Sequence, residues 1–268
     1  MSTVVSAGVV IPTFNSAKSI RRALDSVAHQ TLAPQELIVV DNGSHDETVD
    51  LVIDFASEHP RLITRLHRLP SNSGPAHARN VGWQSSTADW VAFLDSDDSW
   101  HPKKLELQMR LTELYSQHSI FAHAYKVVTG VELANPSVSE SPSRVSRFVL
   151  RDFLIRNRIS TPTVLLRREL PYRFPEEMWY AEDFALWTEL LARGHEIVYL
   201  HTPLTYLHKP VFGVAGLSAQ LLQMYRGETL AVDRLRQSRS VSLLVSLTVK
   251  MWMTLKFVRR LLKVRLGV

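Results

Sequence analysis

Val91-Ala92-Phe93-Leu94 runs directly into Asp95-Ser96-Asp97-Asp98, and this junction sets the reading of the whole chain. The apolar run has the length of a buried strand. It stops in three carboxylates within four residues, which repel one another unless a positive group sits among them. A hard divalent cation with oxygen ligands is the usual partner of such a cluster. The carboxyl end of a strand is also where open α/β sheets bind ligands. The junction therefore reads as a metal-assisted site for a phosphorylated substrate. Asp97 is expected to ligate the ion directly, Asp95 to ligate it through water or hold a ribose hydroxyl, and Asp98 to shape the loop. Taken alone, the cluster is also readable as a solvated turn with helix-capping aspartates ahead of Pro102.

Outward from this junction, strand and helix signals alternate, which implies parallel strands joined by crossover helices. Strands are expected over 7–11, where Pro12 stops the run, and over 36–40, 62–66 and 89–94. Helices are expected over 19–30, over 76–84 and from Pro102 to about 115, and another from a capping box of Ser44 and Glu47 through Phe55. Further strands are expected over 120–128, 163–166 and 197–201. A helix over 182–193 carries Phe184, Trp187, Leu190 and Leu191 on one side and stops at Gly194. Residues 134–147 hold Pro136, Pro142 and five serines and read as a mobile loop.

Composition narrows the class. At 268 residues, the chain is long enough for one large domain with an appendage. A net charge of +5 and a pI near 9.5 favour an anionic partner. The first 200 residues lack a basic block interleaved with aromatics, so nucleic acid is not the expected partner. The absence of cysteine excludes disulfides and thiolate metal sites. Residues 1–7 lack the features of a secretory leader, and no run of about 18 apolar residues marks a membrane span. The expected location is cytoplasmic, peripheral on the inner face of the membrane. That last point rests on the tail. From Ser240, Leu243, Leu244, Leu247, Met251, Trp252, Leu255, Val258, Leu261 and Leu262 recur at helical spacing among Lys and Arg, with no acidic residue. Residues 240–268 read as a basic amphipathic helix for an anionic membrane surface, with packed core or a homo-oligomer contact as the plainer readings.

Other residues fall on the same sheet edge. Pro12 and Thr13 close the first strand, and Asp41-Asn42 closes the second. Arg79 on the helix after Gly74-Pro75 offers a fork of donors to a diphosphate, with a surface salt bridge as the plain alternative. Glu182-Asp183 opens a helix, where carboxylates suit the dipole, yet either could serve as a general base. His208, after Tyr206-Leu207, could touch phosphates or metal.

In order, Pro12-Thr13-Phe14-Asn15, Val40-Asp41-Asn42-Gly43-Ser44, Asn72-Ser73-Gly74 with Ala78-Arg79-Asn80-Val81-Gly82, Phe93-Leu94-Asp95-Ser96-Asp97-Asp98 with Trp100 and Pro102, and Glu182-Asp183 before Trp187 resemble the family 2 glycosyltransferases. The resemblance covers 7–128 well and 161–208 more thinly. It implies a GT-A fold, an α/β architecture with a mostly parallel central sheet flanked by helices. A Rossmann-like nucleotide-binding half (1–118) and an acceptor half (119–210) would be followed by a basic helical extension (211–268). It implies inverting transfer from a nucleotide-diphosphate sugar, most often UDP-linked, to a saccharide or lipid-linked hydroxyl acceptor, with Mn2+ or Mg2+. By the same resemblance Pro12, Thr13, Asp41, Asn42, Arg79, Asp95 and Ser96 hold the donor. Asp97 and Asp95, with His208, hold the metal. Asp183 is the catalytic base, and Glu182 contacts the acceptor or orients its loop. Asn42 stands where the family often has a second Asp, and the family's frequent Arg after Tyr206 is missing. The remaining alternatives are a sugar nucleotidyltransferase, disfavoured by the lack of Gly and basic residues in Pro12-Thr13-Phe14-Asn15, and a non-catalytic nucleotide-sugar-binding module.

Overall fold

The computed structural model describes residues 6–128, 144–208 and 220–266. The first half alternates strand and helix: β1 (Ala7–Thr13), α1 (Ile20–Ala28), β2 (Glu36–Asp41), α2 (Thr48–Glu58), β3 (Thr64–Arg68), α3 (Pro75–Ser85), β4 (Trp90–Phe93), β5 (Ser99–Trp100) and α4 (Lys104–Leu114). The second half holds β6 (Ile120–Val127), β7 (Val145–Phe148), α5 (Leu150–Ile155), a 3-10 turn (Thr161–Thr163), β8 (Leu165–Arg167), α6 (Glu182–Ala192), β9 (Ile197–Leu207), α7 (Leu221–Gln237) and α8 (Leu243–Leu266).

The strands form one sheet in the order β3-β2-β1-β4-β8-β6-β9-β5, with β7 also paired to β9. β3, β2, β1 and β4 are mutually parallel. β8 then runs antiparallel to both β4 and β6, and β6 is parallel to β9. Both faces are covered, so successive strand residues enter opposite cores. Val9 and Ile11 of β1, Leu37 and Val39 of β2, and Trp90 and Ala92 of β4 join one apolar cluster. Their neighbours Val10, Ile38, Val40, Val91 and Phe93 join the other, beneath Trp83 of α3 and Trp187 of α6. Gly82 fixes the approach of α3: a Cβ there would lie 2.3 Å from Val10 Cγ1.

Strand order places the site. β2 lies on one side of β1 and β4 on the other, so consecutive connections leave β1 in opposite directions. A crevice opens at the carboxyl ends of β1 and β4, the switch point of such sheets. Thr13, Asp41 and Leu94 all arrive at that edge.

Four expectations need correction. β1 does not stop at Pro12 but continues to Thr13, with Pro12 opposite Val40. Val10 C=O accepts from Leu94 N–H on the β4 side. Alternation places the N–H that Pro12 lacks on that same side, beyond β4, so no ladder bond is lost. Ser44 does not form a capping box with Glu47. Its Oγ accepts Asn15 N–H at 2.9 Å, and Asp46 Oδ1 accepts Thr48 N–H at the start of α2. Of the proposed loop 134–147, residues 134–143 lie outside the described residues, and Val145–Phe148 is an edge strand on β9. β9 extends six residues past its expected end, to Leu207, its pairing with β6 shifting register near His123 and Ala124.

The opposite sheet edge is held by Glu36. Its Oε1 accepts the Thr87 N–H at 2.6 Å and the Ser86 hydroxyl at 2.9 Å, while Oε2 lies 3.0 Å from Arg65. Burial pushes this carboxyl up, but the Thr87 and Ser86 donors and the Arg65 charge outweigh it and hold it below the usual range. Glu36→Ala should cost about 2–4 kcal/mol, and Gln, which keeps one acceptor, less. The ionised carboxylate contributes stability fully above its unfolded value and loses it as pH falls through its lowered folded value. Urea unfolding of wild type and Glu36→Gln should therefore converge on acidification; a constant gap across that range would refute the assignment.

Candidate active site

Arg79 is the centre of the site. It sits inside α3 and is buried. Its Nη2 donates to Asp95 Oδ1 at 2.8 Å, just past β4, and its Nη1 donates to Glu182 Oε1 at 2.6 Å, at the start of α6. The guanidinium also lies over the Phe174 ring, 5.5 Å from its centroid. One side chain thus joins the acidic loop to a helix 103 residues away in sequence. The salt bridges that stood as the plain alternative to a diphosphate contact are interior and not on the surface. Asn80 works beside it: its Nδ2 donates to Phe174 O and Glu176 Oε1, and its Oδ1 accepts Phe174 N–H. This latches the segment that leads into α6.

Asp183 is half-buried beside Glu182. Its Oδ1 accepts Phe184 N–H at 2.6 Å, and its Oδ2 faces the Thr161 hydroxyl at 3.4 Å. Burial raises its carboxyl above the usual range, with Arg79 opposing and Asp95 adding to the shift. Burial likewise raises Glu182, against the pull of Arg79. The turn before them is strained: Ala181 is left-handed at φ 57° with no glycine to ease it. Gly227 of α7 permits the close approach behind this turn, since a Cβ there would lie 2.3 Å from Tyr180 O.

The acidic loop is held on both sides. Arg22 donates to the Asp97 carbonyl, and Ser96 Oγ meets Ser16 Oγ at 2.8 Å. β5 pairs antiparallel with the end of β9, so His208 N–H donates to Asp98 Oδ1 at 3.2 Å and His208 Nε2 meets Ser99 Oγ at 2.8 Å. Burial, then repulsion from Asp95 and Asp97, pushes the Asp98 carboxyl up to about 8. Five carboxylates (Asp95, Asp97, Asp98, Glu182 and Asp183) share the site with the guanidiniums of Arg79 and Arg22. Among the described residues, no three His, Asp or Glu side chains are grouped to hold an ion by themselves. The donor set instead fits a hard cation bound by one or two carboxylates together with substrate phosphates, as magnesium commonly is.

Thr13 and Asp41 are buried at the carboxyl ends of β1 and β2, and Thr13 Oγ1 has no hydrogen-bond partner. Asp41 accepts Ser44 N–H at 3.2 Å. It borders a cavity of about 450 Å³ with Gly43, His45 and Arg68. Asn42 donates both amide hydrogens, to Asn72 Oδ1 and Gly74 O, and accepts Ser73 N–H; in this structure it shapes the 72–74 turn. Pro12 positions the strand end rather than a polar group.

Sequence reasoning missed Arg68, Arg22, Thr161 and Trp179. Arg68 is signalled only by its register opposite Asp41. Trp179 is 46% exposed over Gly74, a rim aromatic with no local motif.

Replacing Arg79 with Leu would leave Glu182 and Asp95 without their shared counter-charge. A loss of about 3–5 kcal/mol is expected, read by urea unfolding; an unchanged midpoint would mean the two carboxylates are solvated.

The glycosyl transferase family 2 model matches residues 8–169. An Escherichia coli enzyme, UDP-Glc:alpha-D-GlcNAc-diphosphoundecaprenol beta-1,3-glucosyltransferase WfgD, is 31% identical over 186 residues, 68% of each chain. The amylovoran biosynthesis glycosyltransferase AmsB of Erwinia amylovora is 28% identical, over 76% of this chain and 70% of its own. Among solved structures, S. aureus TarS 1-349 in complex with UDP-GlcNAc superposes with a TM-score of 0.66 at 22% identity, covering 86% of this chain and 66% of that one. Mannosyltransferase PcManGT from Pyrobaculum calidifontis, in complex with GDP-Man and Mn2+, gives a TM-score of 0.66 at 20% identity, covering 88% and 65%. These two superpositions establish the GT-A fold. With the family match spanning more than half of its length, the chain belongs to glycosyl transferase family 2 and is a glycosyltransferase.

Proposed function

We propose that this enzyme transfers a sugar, with inversion, from a UDP-sugar to a hydroxyl of a lipid-linked saccharide in surface polysaccharide synthesis. The observation that carries the reading is the Arg79 bridge, which puts the acidic loop and the Glu182-Asp183 pair on one cleft. The lipid-linked acceptor is suggested by the substrate for which the Escherichia coli relative is named. Asp41 and the buried, unpartnered Thr13 hydroxyl suit a nucleoside at the carboxyl ends of β1 and β2. Asp95 and Asp97 would hold Mn2+ or Mg2+ against the donor diphosphate, where the ion supplies Lewis-acid stabilisation of the leaving charge.

Asp183 takes the acceptor's proton. As the acceptor oxygen bonds to the anomeric carbon, the bond to the diphosphate oxygen breaks and the proton passes to the Asp183 carboxylate. A base with a raised pKa holds that proton more readily, and such catalysis contributes roughly 10²–10⁴-fold. Attack opposite the leaving group inverts the anomeric centre in a single displacement, without a covalent enzyme intermediate. Arg79 fixes Asp95 and Glu182, and Thr161 orients Asp183.

Membrane attachment belongs to the same reading. α8 packs on α7 through Met253, Val249 and a Lys250–Asp233 ion pair. It still exposes Leu244, Leu247, Met251, Leu255, Val258 and Leu262 along its outer side. The tail is thus core on one side and an apolar ridge on the other, with exposed Arg259 beside the ridge. That pattern suits the headgroup layer of an anionic bilayer. No helix among the described residues is long and apolar enough to cross a membrane.

A thermal-shift screen of nucleoside diphosphates should give its largest stabilisation with UDP plus manganese. Asp97→Ala should abolish the manganese-dependent part. Asp183→Asn should keep UDP binding within about twofold while turnover falls by roughly 10²-fold or more; a large loss of UDP affinity would make Asp183 structural. Leu244→Ser, Leu247→Ser and Val258→Ser together should release the protein from phosphatidylglycerol vesicles in a flotation assay. If wild type ignores the vesicles and sediments as a dimer that the triple variant dissociates, the ridge is a self-association surface instead.

A further inference from the structure

A second cavity, of about 470 Å³, opens from Asp183 towards the C-terminal helices. Its far wall carries Arg156, Lys256 and Arg260, with Glu228 as the carboxylate beside them. Arg260 lies 3.7 Å from Glu228, whose side chain is 16% exposed. Among the described residues, Arg156, Lys256, Arg260 and Glu228 therefore share this wall. Lys256 Nζ and Trp252 Nε1 both donate to Ile155 O, at 3.3 and 3.0 Å, which latches α8 onto the end of α5.

Ile155 and Trp252 also border a neighbouring groove of about 400 Å³, with Leu154, Val249, Met251 and Leu255. Its lining is almost wholly apolar, in contrast to the first cavity. Ile155 is 60% exposed and Met251 62%, so the groove opens onto the outer ridge of α8. Along one path the chemistry changes from a carboxylate, through a cationic cluster, to an open apolar trough.

Resting on the glycosyl transfer reading above, we propose that this path is the acceptor subsite for a sugar joined through a diphosphate to a long hydrocarbon chain. Arg156, Lys256 and Arg260 bind the diphosphate, the trough beside Trp252 and Met251 takes the first part of the chain, and the sugar hydroxyl lies at Asp183. The order matches the molecule: hydroxyl, ring, diphosphate, lipid. A dianionic group offsets the crowding of the three cations, and the apolar chain removes exposed surface from water. Burial holds the Lys256 ammonium below its usual range, with Glu228 opposing and Arg260 and Arg156 adding to the shift.

The test uses the full chain and farnesyl diphosphate as probe, with inorganic pyrophosphate and farnesol as controls, by isothermal titration. Farnesyl diphosphate should bind about tenfold or more tightly than either control. Lys256→Gln with Arg260→Gln should weaken it by about tenfold or more while UDP affinity in manganese is unchanged. Arg156→Gln, outside the α7–α8 contact, gives the same direction if the double variant unfolds. Trp252→Ala should weaken farnesyl diphosphate but not pyrophosphate. Equal binding by the charge variants, pyrophosphate binding as tightly as the lipid, or displacement of the probe by UDP would each overturn the proposal. The two readings fail separately. If UDP does not bind but the probe obeys the variant pattern, the donor assignment falls and the subsite stands. If UDP binds and the probe does not, the reverse holds.

Discussion

The buried Arg79 guanidinium is the constraint on which the rest of this site depends. Its two carboxylate partners come from opposite halves of the chain. Taking those charges from water is costly, and the cost is recovered only where geometry is good and remaining donors are satisfied. The structure meets the first condition, holding each participant from behind, while the buried Arg79 Nε has no hydrogen-bond partner. Gly82 seats α3 on β1, Asn80 latches the 174–176 segment, and the left-handed turn at Ala181 aims the start of α6. A tightly determined backbone is what lets a strained non-glycine residue persist.

Around this link the negative charges remain in excess. Asp98 is pushed up by Asp95 and Asp97, and Asp183 is raised by burial with Asp95 adding to it. Such a cleft suits a cation that comes with phosphates and does not require a complete protein cage. The two ends of the cleft differ in kind. Thr13, Asp41 and the cavity by Arg68 form a polar floor at the strand ends. Arg156, Lys256 and Arg260 form a cationic wall supplied by α5 and α8. In the proposed reading, the transferred sugar would lie between the polar floor and the cationic wall, a geometry suited to joining a nucleotide-linked donor to a diphosphate-linked acceptor.

The C-terminal helices do more than cap the domain. α7 packs behind the strained turn through Gly227, and α8 is tied to α7 by Lys250–Asp233 and to α5 through Ile155. Their inner faces complete the wall of the cleft while the outer face of α8 stays apolar. In the proposed reading, a lipid-linked acceptor and a surface-bound enzyme would meet at one helix.

Much of the fold was legible in local sequence, because strand and helix periodicities depend on neighbours along the chain. The alternation in 7–114 yielded the parallel half-sheet, and strand ends marked by Thr13, Asp41 and Asp95 shared an edge once that pattern held. Local chemistry misled where a side chain had a distant partner: Ser44 looked like a helix cap but bonds Asn15. β7, the late course of β9 and the antiparallel direction of β8 were missed because they depend on pairing with strands far away in sequence. The sequence by itself determined the alternating architecture and the residue types at the strand ends. Only the tertiary structure decided that Arg79 is interior, that Asp183 joins the acidic loop's cleft, and that basic residues of the tail line a cavity shared with Asp183. Those outcomes depend on burial and long-range charge, which are properties of the packed chain and not of any window along it.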